Sequence, residues 1–197
     1  LCSHNKMADD INQKKIKELS GKSHTYKADV VGEFKETQYP NDEVLELKVG
    51  AQIMFIRNDT SPDKKYYNGK LAQISYLDED EISVILDGSE EEITLKAETW
   101  EQKKYSLDDE KNIKEEVLGS FKQFPIRLAW AVTIHKSQGL TFDRLIIDAG
   151  KSFASGQVYV ALSRCRTLEG IVLKSKITPE VIFSDKRVSK FQDETHA

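Results

Sequence analysis

The feature that most restricts the fold is a nearly continuous apolar run at residues 128–134, which passes into a polar segment at residues 133–139 and is followed by a second apolar run. Apolar runs without alternation are typical of strands covered on both faces, which occur in parallel sheets with helices packed over them. Residues 128–134 and 144–149 are therefore predicted to be core strands of an α/β domain. The polar segment then lies at the carboxyl end of a strand, where open α/β sheets bind their ligands.

The middle of the chain has the pattern of a small antiparallel barrel. Short apolar runs follow one another closely here, at residues 71–77, 82–86 and 93–95. Asn68-Gly69 and Asp87-Gly88 are strong turn signals beside them. Several short strands without an intervening helical pattern predict a barrel. Residues 100–116 are charged and poorly periodic, and are predicted to be a linker that returns to the α/β part.

The flanking segments have the mixed pattern of an α/β domain. Helices are predicted at residues 3–21 and 153–166, and further strands at residues 24–34, at residues 51–56 after a break at Gly50, and at residues 170–173. In the second helix, Val158, Ala161, Leu162 and Cys165 recur with helical spacing. The tail beyond Phe183 is polar and is predicted to be frayed.

Charge is distributed unevenly along the chain. The net charge of −4 by itself argues against a nucleic-acid partner. Residues 78–116, however, contain 15 acidic residues and 5 lysines, whereas residues 117–197 contain 12 basic and 7 acidic residues. The half of the chain that carries the polar segment is therefore basic and compatible with binding a phosphate backbone.

The length of 197 residues suits one domain with a small insertion, or two small domains. No apolar segment approaches the roughly 18 residues that span a bilayer, and the first residues lack the regions of a secretion signal. We therefore expect a cytoplasmic protein without a membrane partner. Cys2 and Cys165 are too few for a disulfide framework or a metal site and are expected to be free thiols.

Two segments resemble motifs of the superfamily-one nucleic-acid helicases. Thr-Ile-His-Lys-Ser-Gln-Gly at residues 133–139 is similar to one such motif, most closely in the 5′-to-3′ branch that contains the Pif and RecD families. Gln-Val-Tyr-Val-Ala-Leu-Ser-Arg at residues 157–164 resembles the last motif of the same families. Residues 47–55 and 67–70 resemble the family's entry to an inserted barrel, and residues 124–131 resemble its exit, so the resemblance covers nearly the whole chain.

The resemblance implies the second RecA-like domain of a Pif or RecD helicase. Its fold class is α/β, with a parallel sheet of the P-loop NTPase type, helices on both faces, and a small SH3-like antiparallel β-barrel inserted into it. Residues 1–57 and 121–197 would form the discontinuous motor domain. Residues 58–120 would form the inserted barrel with its return linker.

The resemblance also implies roles for single residues. The residues that would bind single-stranded DNA are Thr133, His135, Lys136 and Ser137. Those expected nearer the nucleotide are Gln138, Gly139 and Gln157. Arg164 has the family's arginine-finger position, where a planar, always charged guanidinium stabilises charge on a transferring phosphoryl group. The structural alternatives are a plain strand-to-helix turn at residues 133–139, a helix-capping amide at Gln157 and an ordinary surface arginine at Arg164.

The chain lacks a recognisable site for a whole triphosphate. Gly21-Lys22-Ser23 and Gly150-Lys151-Ser152 both spell the end of a phosphate-binding loop, but neither has the earlier glycine that such a loop needs. ATP and Mg²⁺ would therefore be held by a first RecA-like domain, a partner absent from these residues. We expect the 197 residues alone to be inactive as an ATPase.

Two other functions compete with that of a helicase. One is a translocase subunit of a nuclease complex, as RecD-like proteins can be. The other is a non-catalytic module in which the barrel recruits a protein or a nucleic acid and the α/β part is scaffold. A phosphate-binding loop encoded upstream of Leu1 would establish the motor function.

Overall fold

The computed structural model describes residues 1–107, 112–183 and 185–195. Within these ranges there are three α-helices, α1 (Asn5–Glu18), α2 (Gln157–Leu162) and α3 (Lys186–Thr195). The strands are β1 (His24–Lys27), β2 (Asp29–Gly32), β3 (Val44–Leu47), β4 (Gln52–Phe55), β5 (Leu71–Leu77), β6 (Ile82–Leu86), β7 (Glu92–Leu95), β8 (Glu98–Leu107), β9 (Ile113–Gln123), β10 (Ile126–Leu128), β11 (Leu145–Ile147) and β12 (Ile171–Leu173). Short 3₁₀ helices occur at Glu36–Gln38, His135–Ser137 and Pro179–Val181.

The chain divides into two compact units. The first comprises Leu1–Lys14 and Trp130–Ala197, and the second comprises Lys15–Ala129. The sequence placed the boundaries instead after residues 57 and 120. The difference arises because β4 and β10, which were assigned to the motor domain, pair with each other and join the sheet that contains β5.

The second unit is built mainly of antiparallel sheets. Five strands pair in the order β10-β4-β5-β6-β7, a second sheet pairs β1 with β3, and a third has the order β2-β9-β8. Each pair of neighbouring strands is antiparallel. Ala72, Ile74 and Leu77 of β5 are buried, as in a strand with one face on the core, and the alternation shifts by one residue at an irregularity after Ile74. The predicted strands at residues 71–77, 82–86 and 93–95 are confirmed, the strand at 51–56 after the break at Gly50 is confirmed as β4, and the one at 24–34 is two strands.

The prediction of a linker at residues 100–116 is wrong. Strands β8 and β9 form a long antiparallel pair over the described part of this range, and residues 108–111 of the predicted linker lie outside the described residues. Most side chains of this strand pair are exposed, so the sequence lacks the alternation that marks a strand with a buried face. Trp100 in β8 contacts the fully buried ring of Phe121, with ring centroids 6.1 Å apart. Lys103 forms an ion pair with Glu115 on the neighbouring strand at 2.9 Å.

In the first unit, four segments lie side by side and parallel. Cys2 forms parallel bridges with Thr133 on one side and Asp148 on the other, and β11 pairs in parallel with β12. The amide of Cys2 donates to the carbonyl of Val132 at 3.0 Å. The predicted strands at 144–149 and 170–173 are confirmed in part, as β11 and β12.

The prediction of one core strand over residues 128–134 is wrong. Strand β10 ends at Leu128 and belongs to the second unit, and the chain resumes parallel pairing only near Thr133. Between these points, buried Asn12 forms two hydrogen bonds with the backbone of Ala131, each 2.9 Å long. At Ala131 the Asn12 side chain forms the hydrogen bonds that a neighbouring strand would otherwise form. The apolar run is therefore divided, with residues up to 129 in the second unit and those from 130 in the first.

The helices also differ from their predictions. Helix α1 confirms the helix expected at residues 3–21, with shorter ends. The helix expected at 153–166 is limited to α2, which follows Gly156 in a left-handed conformation, with a φ of 72°. Helix α3, which the sequence did not predict, forms in the tail beyond Phe183 that was expected to be frayed. Asp185 accepts a hydrogen bond from the Arg187 amide at 2.9 Å, an N-terminal cap that polarity alone did not predict. Over the described ranges, no helix is both long and apolar enough to cross a membrane.

Candidate functional site

The polar segment 133–139 forms a tight turn that is held by its own hydroxyl groups. The Ser137 hydroxyl donates to the carbonyl of Ile134 at 2.7 Å. The amide of Lys136 donates to Thr133 Oγ1 at 3.3 Å. Thr133 is only 4% exposed and Ser137 is fully buried. Both hydroxyls therefore stabilise the turn, and the direct phosphate contacts expected of Thr133 and Ser137 stay a prediction.

The same turn presents its other polar residues to solvent. His135, Lys136, Gln138 and Gly139 are all exposed. The imidazole and the ammonium group lie on the 3₁₀ helix His135–Ser137, whose backbone is fixed by bonds from the Ser137 amide to the carbonyls of Thr133 and Ile134. The segment thus combines a rigid backbone with accessible cationic and amide groups.

Gly139 is required by the backbone rather than by a close neighbour. Its φ is +80°, in the left-handed region that L-residues with a Cβ rarely adopt. A Cβ built at this position meets nothing within 4 Å. The glycine therefore allows the chain to reverse after Gln138, and the open space beside it leaves the backbone accessible.

Arg164 connects the second helicase-like segment to Leu140, the residue after the first. It lies two residues beyond the end of α2 and is half-buried. Its Nε donates to the carbonyl of Val160 and its Nη1 donates to the carbonyl of Leu140, each at 3.1 Å. Its Nη2 donates to the hydroxyl of Ser163 at 3.1 Å. These bonds use three of the five N–H groups of the guanidinium and fix its plane beside residues 138–142.

Gln157 is buried rather than open to a cleft. It is 3% exposed at the start of α2. Its Oε1 accepts a hydrogen bond from the amide of Phe153 at 3.1 Å, and its Nε2 donates to the carbonyl of Ser3 at 3.2 Å. The side chain therefore connects two backbone segments, which is closer to the structural alternative than to a direct contact with nucleotide.

Two further aromatic residues lie beside the turn. The ring centroids of His135 and Phe153 are 6.2 Å apart, and those of His4 and Phe153 are 4.7 Å apart. Phe153 is 59% exposed. Sequence reasoning missed this cluster of three rings because its members come from three distant segments, and no motif contains both histidines.

Proteins related to this chain are DNA helicases. The rat ATP-dependent DNA helicase PIF1 is 34% identical over 203 residues, which covers 97% of this chain and 29% of the rat protein. The Campylobacter jejuni ATP-dependent DNA helicase Pif1 is 36% identical over 180 residues, covering 83% of this chain and 39% of that protein. Unliganded Pif1 from a Bacteroides species superposes with a TM-score of 0.87 and 40% identity, over 100% of this chain and 45% of that one.

The chain belongs to the Pif1 helicase family. No family model matches it. The chain spans less than half of the length of the Pif1 proteins that it matches. Its fold is that of the corresponding part of a Pif1 helicase, which confirms the resemblance to the Pif family and supports the RecA-like class.

Two further Pif1 structures contain ligands. Bacteroides Pif1 in complex with ADP-AlF4 matches with a TM-score of 0.85 and 41% identity, over 98% of this chain and 44% of that one. The same protein bound to single-stranded DNA matches with a TM-score of 0.77, also at 41% identity over 98% of this chain and 44% of that one.

A second basic and aromatic region lies in the other compact unit. Lys64, Lys65 and Lys70 surround Tyr66 and Tyr67 in the sequence. Tyr66 stacks on Phe55 with ring centroids 3.9 Å apart and donates to Glu98, so it is part of the packing. Lys65 pairs with Glu91, and Lys70 donates to a carbonyl. Tyr67 is 61% exposed. Lys64, Lys65, Tyr67 and Asn68 are exposed, so this region also presents cationic and aromatic groups to solvent.

Proposed function

We propose that this chain is the carboxyl-terminal part of an ATP-dependent, 5′-to-3′ DNA helicase. In this proposal the first compact unit contains the second RecA-like motor fold, and the second unit contains the SH3-like insertion. The chain binds single-stranded DNA through the turn at residues 133–139. It supplies Arg164 to ATP that is held, with Mg²⁺, by a first RecA-like domain outside these residues.

The observation that carries the proposal is the exposed pair His135 and Lys136 on a turn locked by buried hydroxyls. A phosphate backbone is bound through cationic and hydrogen-bonding groups held in a fixed register. Thr133 and Ser137 then contribute by holding the turn, while the exposed pair contacts DNA. The existence of a complex between a Pif1 relative and single-stranded DNA supports this assignment.

The geometry of Arg164 supports the finger role. Three N–H groups are used within the chain, so the guanidinium is oriented in advance, and its two remaining N–H groups belong to the terminal nitrogens. N–H donors that are oriented before the reaction need little rearrangement to stabilise the charge that develops on the transferring phosphoryl group. The same bonds attach Arg164 to Leu140, next to the proposed DNA turn, and so give a physical link between nucleotide and DNA.

The residues of this chain fit a role at the edge of a nucleotide site, not a complete site. Gly150 lies in one of the two loop-like sequences, and its amide donates to the hydroxyl of Ser175 at 3.0 Å rather than facing a phosphate. Among the described residues, no group of three or more His, Cys, Asp or Glu side chains is placed to hold a metal ion. Hydrolysis of bound ATP would supply the free energy for movement. Arg164 would donate to its phosphate oxygens, and the turn would hold the strand.

DNA binding can be tested on the 197-residue chain. Fluorescence anisotropy with a labelled single-stranded oligonucleotide should give saturable, salt-sensitive binding. The double variant His135→Ala and Lys136→Ala should weaken it by about tenfold or more, since charged contacts are lost. Lys190→Ala is the matched control, because this exposed lysine lies on α3 and pairs with Glu194. An absence of binding, or an equal effect of the control, contradicts the proposal.

The finger role requires the chain extended to include its nucleotide-binding domain. Arg164→Ala should lower kcat for DNA-stimulated ATP hydrolysis by about 10³-fold or more while leaving the Kd for ATP nearly unchanged. Arg166→Ala is the control, because this exposed arginine pairs with Asp143 at 3.2 Å on the surface. If Arg164→Ala weakens ATP binding without slowing hydrolysis of bound ATP, the finger role is wrong.

A further inference from the structure

An exposed phenylalanine lies between two imidazole rings in the first compact unit. Phe153 is 59% exposed, and its ring lies 4.7 Å from that of His4 and 6.2 Å from that of His135, with interplanar angles of 42° and 45°. These distances are in the range of favourable tilted ring contacts. Single exposed apolar residues are common and carry no meaning alone. Here two other rings restrict the position of the phenylalanine while more than half of its surface stays accessible.

Backbone contacts hold the three rings in place from three separate segments. Gln157 accepts a hydrogen bond from the amide of Phe153 and donates one to the carbonyl of Ser3. Ser3 Oγ is 2.9 Å from His4 Nδ1. His135 begins the 3₁₀ helix that is fixed by the buried Ser137. The cluster is therefore organised before any ligand binds, which lowers the entropy cost of binding.

An exposed lysine lies within two residues of each ring along the chain. Lys6 lies two residues after His4, Lys136 follows His135, and Lys151 lies two residues before Phe153. All three lysines are exposed. Aromatic faces among lysines are the combination by which proteins bind single-stranded nucleic acid, because bases stack on the rings and the phosphates contact the charges.

We propose that Phe153, with His4 and His135, forms a platform on which one unpaired nucleobase of the bound strand stacks. The inference rests on the proposed function. In that function residues 135 and 136 contact the DNA backbone, and the platform adds a contact to a base. A base within a duplex has both faces covered by its neighbours, so this platform selects unpaired DNA. Stacking on a π-face does not distinguish among the four bases, which suits a motor that must travel along any sequence.

The test compares two DNA ligands on the 197-residue chain. One is an oligothymidylate, and the other is an oligonucleotide of the same length in which every base is replaced by an abasic site. Their affinities are measured by competition at one salt concentration. The native chain should prefer the oligothymidylate by about fivefold or more, the effect of losing one base–aromatic stack. Phe153→Leu should abolish most of this preference, whereas Phe153→Trp should retain it.

Phe191→Leu provides the matched control. Phe191 is 65% exposed on α3, so this substitution also removes an exposed aromatic ring. This variant should keep the native preference. Urea unfolding of each variant verifies that Phe153→Leu folds normally, as expected for an exposed residue. The platform is refuted if the native chain binds both ligands equally, or if Phe153→Leu keeps the preference. If the platform is refuted but the chain still binds both ligands, the proposed function stands. If the chain binds neither ligand, the platform and the proposed function are both refuted.

Discussion

The side-chain amide of Gln157 donates a hydrogen bond to the main-chain carbonyl of Ser3 at 3.2 Å, across 154 residues of sequence. Its carbonyl oxygen accepts from the amide of Phe153 at 3.1 Å. One buried side chain in the second helicase-like segment thereby fixes the backbones that carry His4 and Phe153. The segment at residues 157–164 thus holds the backbone that carries the proposed DNA surface. Its last residue, Arg164, donates a hydrogen bond to the carbonyl of Leu140 beside the turn.

Replacing Gln157 by alanine should lower the free energy of unfolding by about 1–3 kcal/mol. The variant leaves the amide of Phe153 and the carbonyl of Ser3 without their bonds, and unsatisfied buried polar groups carry a penalty of this size. Urea denaturation followed by circular dichroism measures it. Gln138→Ala removes the same side chain from an exposed position and should change stability by no more than about 0.5 kcal/mol. Equal stability of the two variants would show that the Gln157 bonds do not hold the fold.

Lys136→Ala should reduce the salt dependence of binding to single-stranded DNA. Each phosphate neutralised by a cation contributes about 0.7 to the slope of log K against log salt concentration for a single strand. The slope should therefore become shallower by about 0.7, as measured by anisotropy titrations at several salt concentrations. Lys190→Ala, the control on α3, should leave the slope unchanged. An unchanged slope for Lys136→Ala would exclude a phosphate contact by this lysine.

Substitutions at Gly139 and Gly170 should lower the free energy of unfolding by very different amounts. Gly139→Ala places a Cβ in open space but at a φ of +80°, so it should destabilise the chain by about 1 kcal/mol. Gly139→Asn should cost less, because asparagine tolerates the left-handed conformation. At Gly170 a Cβ lies 2.1 Å from the carbonyl oxygen of Asp143, so Gly170→Ala should cost about 3 kcal/mol or more. Urea denaturation of all three variants checks this order, and a severe effect at Gly139 would show that a neighbour had been overlooked.

Asp148 should make the stability of the first compact unit sensitive to acid. Burial alone would raise the pKa of its carboxyl, but bonds from Lys174 Nζ at 3.1 Å and Ser175 Oγ at 3.0 Å hold the pKa below its ordinary value of 3.8. A carboxylate with a lowered folded-state pKa stabilises the fold above its unfolded pKa, and this contribution is lost as the pH falls through the folded value.

The corresponding variant is Asp148→Asn. It should be less stable than the native chain at pH 7, and the difference in the free energy of unfolding should shrink as the pH falls below 3.8. Urea denaturation across this range measures it. The same substitution at Asp10, exposed on α1, should change stability at pH 7 by no more than about 0.5 kcal/mol. A difference at Asp148 that does not change with pH would mean that the carboxylate has the same pKa in the folded and unfolded chains.

The predictions that succeeded depend on local signals. Alternation and turn residues located β5, β6 and β7, and the spacing of apolar residues located the core of α2. The predictions that failed concern segments whose pairing partners are distant or whose side chains are exposed. The β8–β9 strand pair is exposed over most of its length and so lacks an apolar face. The run at 128–134 is divided by the bonds between Asn12 and Ala131, which no local pattern anticipates.

The sequence by itself determined the family, through two motifs whose residue types and spacing are rare together, and it determined that residues 133–139 form a polar turn. Only the tertiary structure decided which of those polar groups reach solvent: Ser137 is buried in the turn, whereas His135 and Lys136 are exposed. It also decided that Phe153 contacts both histidines. The physical reason is that burial and ring contacts depend on long-range pairing of Leu1–Ser3 with residues 132–134 and 146–148, whereas motif spacing depends only on neighbours along the chain.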